Sequence, residues 1–352
     1  MTTSIAKPKV HHPDLRLNTI GLTRRDYEGS MSTLCAGCGH DSITAAIIKA
    51  FWELSIEPYK VGKLSGIGCS SKTPAYFLRE AHGFNAVHGR MPSIGTGASA
   101  ARRDMVYIGV SGDGDSLSIG LGQFCHAIRR NVAMLYILEN NGVYGLTKGQ
   151  FSASADIGSR PKRGAPNRQS PIDPVLLALN LGATFVARSF SGDKDQLVPI
   201  LKAGLLHRGF AFVDVISPCV TFNDHEGSTK SYIYTREHIR PVVDAGLVEP
   251  RSEIHVSYGE GETADVPMHD GTVVRLRKLA TDYDPTNRDA AYSYIRDRQN
   301  AAEVVTGLLY LGEGPPEMHE NENTVATPLA ELPFDDLCPG SAALDELMED
   351  YR

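Results

Sequence analysis

"DMVYIGVSGDGDSLSIGLGQFCHAIRRNVAMLYILENN", Asp104 to Asn141, decides the fold. An apolar run ends in a turn of glycines and aspartates. A helix-like stretch begins at Ser116, and "VAMLYILENN" follows as a second apolar run that reads as a buried strand. Strand, helix and strand in that order make a unit whose two strands lie parallel. The same alternation continues on both sides. "YKVGKLSGIGC" (Tyr59–Cys69) reads as a strand entering a glycine-rich turn. "DPVLLALNLG" reads as a helix, "ATFVARSF" as a strand, "DKDQLVPILKAGLLHRG" as a helix and "FAFVDVISPC" as a last apolar strand. Upstream, Ile43, Ile47, Phe51 and Leu54 recur at helical spacing, with Asp41 or Ser42 available as a cap. The fold class is therefore α/β, a mostly parallel sheet with helices on both faces.

Parallel strands send every strand-to-helix loop to one rim, and open α/β sheets bind ligands there. Cys69, Asp113, Asn140 with Asn141, and Cys219 each follow a predicted strand. Cys35 and Cys38, in "CAGCGHD", need only precede the first helix on that side. Glycine lets a backbone approach phosphate oxygens closely. A carboxylate at the end of a strand suits Mg²⁺, which takes oxygen ligands and keeps phosphates among them. "GDGD" (Gly112–Asp115) followed one helix and one strand later by "NN" is thus a candidate site for a Mg²⁺-held phosphate group. Alone, each is an ordinary turn.

Length and composition bound the rest. A chain of 352 residues allows one large α/β domain or two smaller ones. Net charge is -7, which disfavours nucleic acid as the main partner. No stretch reaches the roughly 18 apolar residues of a membrane span, and the N-terminus lacks a signal-like apolar region. Six scattered cysteines are too sparse for a disulfide scaffold, so a reduced, cytoplasmic setting is expected. Four of them fall on the deduced rim, while Cys125 lies inside a predicted helix and Cys338 near the C-terminus. Four thiols suit an iron–sulfur cluster or, equally, a structural zinc ion. The divisions expected are an N-terminal arm (1–30), a main domain (31–235), an appended segment (236–311) with a β-like pair around Asp270–Gly271, and an acidic, proline-rich tail (312–352) that wraps a partner or stays mobile.

"SGDGDSLSIG" with "LENNGVYGLTKGQ" resembles the thiamine-diphosphate motif of 2-oxoacid:ferredoxin oxidoreductase β subunits. "CAGCGH", "GIGCSS", "HGR" and "PCVTFN" are similar to that family's other motifs, in the same order, so the likeness covers about residues 30 to 300. It is greatest to the 2-oxoglutarate type. The resemblance implies a thiamine-diphosphate-binding fold. It implies that Asp113, Asn141 and the Val143 carbonyl hold Mg²⁺, and that Cys35, Cys38, Cys69 and Cys219 hold one [4Fe–4S] cluster. Gly66, Ile67, Gly68, Cys69, Ser70, His88, Gly112, Gly114, Asp115, Gly145 and Leu146 join Asp113, Asn141 and Val143 as cofactor-contacting positions. Lys72 and Lys148 stand where the family places cationic groups around the substrate, though each also reads as a solvated turn lysine.

The activity implied is oxidative decarboxylation of 2-oxoglutarate to succinyl-CoA and CO₂, with coenzyme A as co-substrate and electrons passed to ferredoxin, or the reverse CO₂-fixing carboxylation. Pyruvate or a broad set of 2-oxoacids is the alternative, as are a non-redox thiamine-diphosphate enzyme and a zinc-stabilised nucleotide-binding regulator. An α subunit is implied as partner, in an (αβ)₂ assembly. The carboxylate that activates the cofactor's aminopyrimidine is expected from that partner.

Overall fold

The computed structural model describes residues 14–159, 165–221, 254–267, 273–338 and 340–351. The strands are β1 (Val61–Ser65), β2 (His82–Asn85), β3 (Val106–Gly112), β4 (Met134–Asn140), the short hairpin β5 (Val143–Tyr144) and β6 (Gln150–Phe151), β7 (Phe185–Phe190), β8 (Phe210–Ile216), β9 (Thr263–Pro267), β10 (Val273–Lys278) and β11 (Val304–Leu311). All but the hairpin form one sheet in the order β2-β1-β3-β4-β8-β7-β11-β10-β9. The first six are parallel, as the sequence requires. β11 then joins β7 antiparallel, and β10 and β9 complete the edge. The appended segment thus continues the main sheet. The two strands flanking Asp270–Gly271 pair antiparallel, from Val273 opposite Pro267. The connection itself and the expected boundary near residue 235 lie outside the described residues.

Six longer helices cover the sheet: α1 (Gly39–Leu54), α2 (Met91–Ala101), α3 (Leu121–Arg129), α4 (Pro174–Asn180), α5 (Lys194–Leu206) and α6 (Arg288–Asn300). On β4, Leu135 and Ile137 face the α1–α5 layer, while Tyr136 and Leu138 face α3 and α4. Successive strand residues point to opposite faces, so a strand buried on both must be apolar throughout. Phe124 of α3 fixes its layer through edge-on contacts with Tyr136 (5.2 Å) and Phe212 (5.1 Å).

Three local features depart from the sequence reading. Helix α1 starts at Gly39 with Cys38 as its N-cap, earlier than Asp41 or Ser42. Gly37 adopts φ 79°, and the Cys38 N–H donates to the Cys35 carbonyl at 3.0 Å. The helix therefore begins directly from the CAGC turn, which only glycine at that position allows without strain. The stretch after Asp113 opens as a π-helix, Gly114–Ile119, in which the Gly120 N–H reaches the Asp115 carbonyl at 2.8 Å. From Asp14 onward the N-terminal arm packs against the body. Tyr27 is wholly buried, and its hydroxyl accepts from Asn18 Nδ2 at 2.8 Å. Trp52 Nε1 donates to the Leu22 carbonyl at 3.1 Å. Farther on, Val325, Leu329, Phe334, Leu337, Leu344 and Leu347 are all exposed.

Lys63 on β1 is buried without a carboxylate; its Nζ donates to the carbonyls of Phe77 (2.6 Å) and Leu78 (2.9 Å). It ties the segment after Cys69 to the sheet. Burial pulls its pKa down to about 8. The unfolded chain then binds more protons between pH 8 and the ordinary lysine range, so stability from this group rises with pH there, by ~2 kcal/mol from pH 8 to 10. Urea midpoints should show that rise in the wild type and lose it in Lys63→Met.

Candidate functional site

Strands β1, β3, β4 and β8 are consecutive in the sheet, so their C-terminal ends stand side by side at the strand spacing of about 4.8 Å. The first three of them line one cavity. The turn after β1 supplies Ile67, Gly68, Cys69 and Ser70; the end of β3 and its π-turn supply Gly112, Asp113, Gly114 and Asp115. The end of β4 and the loop beyond supply Glu139, Asn141, Val143, Tyr144 and Gly145, and α1 supplies His40.

Asp113 is 1% exposed, and its hydrogen bonds converge on Oδ2. Donors are the Gly142 N–H (2.9 Å), Ser154 Oγ (2.5 Å) and Ser152 Oγ. Asn141 Oδ1 accepts from the Val143 N–H at 3.1 Å, which folds the loop so that both residues line the cavity with Asp113. Asp115 plays a different part. Its Oδ1 accepts from the Gly89 N–H (2.8 Å) and its Oδ2 from Ser111 Oγ (2.9 Å), which binds the HGR loop to the rim. A Cβ at Gly66 would stand 1.8 Å from Asp115 Oδ2, and one at Gly114 2.5 Å from the Tyr144 ring. Glycine is needed at both positions because neighbouring side chains occupy that space. Backbone groups, the Asp113 carboxylate and the Asn141 amide thus face a common cavity, a set of donors that could hold a cation-bridged phosphate group.

Cys69 lines the same cavity, and Cys219 approaches it at Gly145. A Cβ on Gly145 would lie 3.2 Å from Cys69 Sγ and 3.9 Å from Cys219 Sγ, so both sulfurs flank that residue. Cys38 is buried at the N-cap of α1; desolvation pushes its pKa well up, and the charge of Cys219 adds to this. Burial also raises Cys69, with Cys35 adding and Lys72 opposing. Cys35 Sγ accepts from Thr221 Oγ1 at 3.4 Å. None of the four is tied in a disulfide. Among the described residues no group of three or more His, Cys, Asp or Glu side chains is arranged to hold a single metal ion. Cys125 lies on α3 and Cys338 near the C-terminus, both outside the cavity lining.

Other predicted positions fall elsewhere. His88, Leu146 and Lys148 are exposed and do not line the cavity. Lys148 sits at φ 79° in the turn of the small hairpin, its N–H on the Gly145 carbonyl at 3.2 Å. Lys72 is half-buried beside Cys69, whose carbonyl accepts its N–H at 3.1 Å.

Three cavity residues, Glu139, His40 and Tyr144, were not singled out from sequence. Glu139 is 0% exposed; both its oxygens lie within reach of Thr73 Oγ1, at 3.1 and 3.0 Å. Desolvation raises its pKa well above the usual carboxylate range. His40 Nδ1 lies 2.6 Å from Ser217 Oγ and 3.7 Å from Glu139 Oε2, and burial lowers its pKa to about 4. Both shifts favour the neutral forms, so the contact is a polar pair rather than an ion pair. The available signal was a carboxylate closing an otherwise apolar buried strand, which must find a partner.

Residues 66–215 match the family described as thiamine pyrophosphate enzyme, C-terminal TPP binding domain. A 2-oxoacid:ferredoxin oxidoreductase subunit beta from Saccharolobus solfataricus is 42% identical over 205 residues, covering 58% of this chain and 65% of the relative. The chain thus spans a little under two thirds of that relative. The 2-oxoglutarate oxidoreductase subunit KorB of Mycobacterium tuberculosis is 36% identical over 287 residues, 78% of this chain and 74% of that one. Among solved structures, a 2-oxoglutarate:ferredoxin oxidoreductase from Magnetococcus marinus, with 2-oxoglutarate, coenzyme A and succinyl-CoA bound, superposes with a TM-score of 0.69 at 28% identity, covering 88% of this chain and 91% of that one.

Proposed function

Since the chain belongs to the family of 2-oxoacid:ferredoxin oxidoreductase β subunits, we propose that it is the thiamine-diphosphate- and cluster-bearing half of a 2-oxoglutarate:ferredoxin oxidoreductase. One observation carries this reading: Cys69 and Asp113 line the same cavity. A thiolate ligand and a Mg²⁺ ligand on one cavity wall leave a short path for electrons.

Thiamine diphosphate supplies the carbanion chemistry that releases CO₂ from a 2-oxoacid, and a [4Fe–4S] cluster accepts electrons singly. This chain's residues bind and orient. Asp113, Asn141 and the Val143 carbonyl hold Mg²⁺; Gly112 and Gly114, which make way for Ser70 and Tyr144, bring bare backbone to the diphosphate. Cys35, Cys38, Cys69 and Cys219 hold the cluster. The donor chemistry suits a thiolate-held cluster: Cys69 and Cys219 flank Gly145, Cys35 acts on Cys69 and Cys219 on Cys38, and none is tied in a disulfide. Lys72, beside Cys69, offers positive charge to an anionic substrate. His88, Leu146 and the exposed Lys148 serve from the rim, where a partner subunit closes over them. The α subunit supplies the remaining carboxylate, in an (αβ)₂ assembly, and coenzyme A and ferredoxin are the acceptors. The exposed apolar side chains beyond Val325 suit a chain that is covered in such an assembly.

The test is an anaerobic assay of the chain co-expressed with its partner, with coenzyme A, a viologen dye and, in turn, 2-oxoglutarate, pyruvate and 2-oxobutyrate. The expected result is a brown complex containing iron whose rate with 2-oxoglutarate exceeds the others at least tenfold. Equal rates would move the reading to a broad 2-oxoacid enzyme. No rate with any of the three, or zinc in place of iron, would overturn it.

A further inference from the structure

Asn140, the first residue of the NN pair, points away from the proposed Mg²⁺ ligands and into a chain of buried polar side chains. Its Nδ2 donates to Asp214 Oδ1 on β8 at 3.1 Å. Asp214 Oδ2 accepts from Arg188 Nε on β7 at 2.7 Å. Arg188 Nη2 donates to Asp173 Oδ1 at 2.9 Å, and Gln299 Nε2 of α6 holds the other Asp173 oxygen. On the near side, Asn140 Oδ1 stands 3.0 Å from Ser154 Oγ, which is 2.5 Å from Asp113 Oδ2. Exposure is 0% for Asp214, and 5% for both Asn140 and Arg188.

A buried ion pair is a poor source of stability, since desolvating both charges offsets most of their attraction; its better-attested use is to fix one arrangement over others. Here the arrangement fixed is the Asn140 amide. A carboxylate opposite Nδ2 prevents the amide from flipping, so Oδ1 must face Ser154. The Ser154 hydroxyl lies within hydrogen-bond reach of Asn140 Oδ1, Asp113 Oδ2 and Ser152 Oγ and is held among them. Its position limits where the Asp113 carboxylate can aim.

We infer that Arg188, Asp214 and Asn140 form a positioning relay that sets the Asp113 carboxylate for Mg²⁺ and diphosphate from beneath the site. None of the three lines the cavity. The inference rests on the reading of Asp113 as a Mg²⁺ ligand. A purely structural role would change stability and leave cofactor affinity alone.

The test uses the assembled complex and titration calorimetry with Mg²⁺ and thiamine diphosphate. The double variant Arg188→Met/Asp214→Leu removes both charges while filling the space. Asn140→Ala cuts the relay with the ion pair intact, and it carries the test should the double variant fail to fold. The expected result is a Kd for thiamine diphosphate raised tenfold or more. Turnover at saturating cofactor should fall far less than affinity, and Arg188→Lys should recover most of the loss. A folded Asn140→Ala complex whose Kd stays within twofold of wild type would overturn the relay alone. A wild-type complex that takes up no thiamine diphosphate would remove both the relay and the reading beneath it.

Discussion

Asp113→Asn is expected to leave the fold intact and abolish cofactor retention, with activity falling at least ~10³-fold, equivalent to about 4 kcal/mol. Asparagine keeps the shape of the side chain. The Gly142 N–H can still donate to its amide oxygen, and the two serine hydroxyls can rotate to suit. What is lost is the negative charge, in a position 1% exposed where water cannot replace it. A divalent ion bound through few protein oxygens and a diphosphate depends on that charge. The thermal midpoint should therefore shift by only a few degrees, while calorimetry with Mg²⁺ and thiamine diphosphate shows no binding. The rival account makes Asp113 a turn residue that pins the loop after β4. It predicts the reverse pattern, lowered stability with cofactor affinity retained, and that pattern would refute the ligand assignment.

The rim was legible because strands buried on both faces must be apolar throughout, so polar residues ending "MVYIGV", "MLYILE" and "FAFVDVIS" stand out as strand ends. A parallel sheet then brings those ends together whatever the loops do. The start of α1 was less legible because a cysteine N-cap makes no side-chain capping bond, and the nearby Asp41 and Ser42 mimic one. The π-turn after Asp113 has the composition of any helix start; an added residue per turn leaves no mark in six residues. Packing of the arm depends on Tyr27 meeting Asn18 and on Trp52 meeting Leu22, long-range pairings that periodicity cannot express. β9 and β10 read as part of an appended segment because their half-exposed strands alternate, unlike the apolar strands of the main sheet. Within the site, the aim of Asn140 toward Asp214 could not be read from the motif. Two adjacent asparagines at a strand end face opposite ways, and only the partner on β8 shows which one leaves the cavity.

Cys69→Ser should yield a complex that still binds thiamine diphosphate yet has lost the brown absorption, most of its iron and, by ~10³-fold or more, its viologen-reducing activity. A hydroxyl is a harder, far weaker donor to iron than a thiolate. Cys69 is the informative choice because it belongs to both halves of the site. It caps the turn after β1, lines the cavity with Asp113, and its sulfur would stand 3.2 Å from a Cβ on Gly145 in the loop that carries Asn141. Serine is no larger, so the neighbours need not move, and retained cofactor binding separates loss of the cluster from collapse of the cavity. Cys125→Ser is the control: its thiol lies on α3, away from the cavity lining, and iron content should stay at the wild-type level. The arrangement of charges sharpens the argument. Burial holds Cys38 and Cys69 above the ordinary thiol range, and the nearby thiols raise them further. Four thiolates so placed repel one another unless a cationic metal centre compensates them, and only Lys72 among the groups acting on Cys69 is positive. Cys38 and Cys69 should therefore react slowly with alkylating agents in the metal-free chain near neutral pH, and incorporation of iron should release protons. Full iron content and full rate in Cys69→Ser would break the link between this loop and electron transfer.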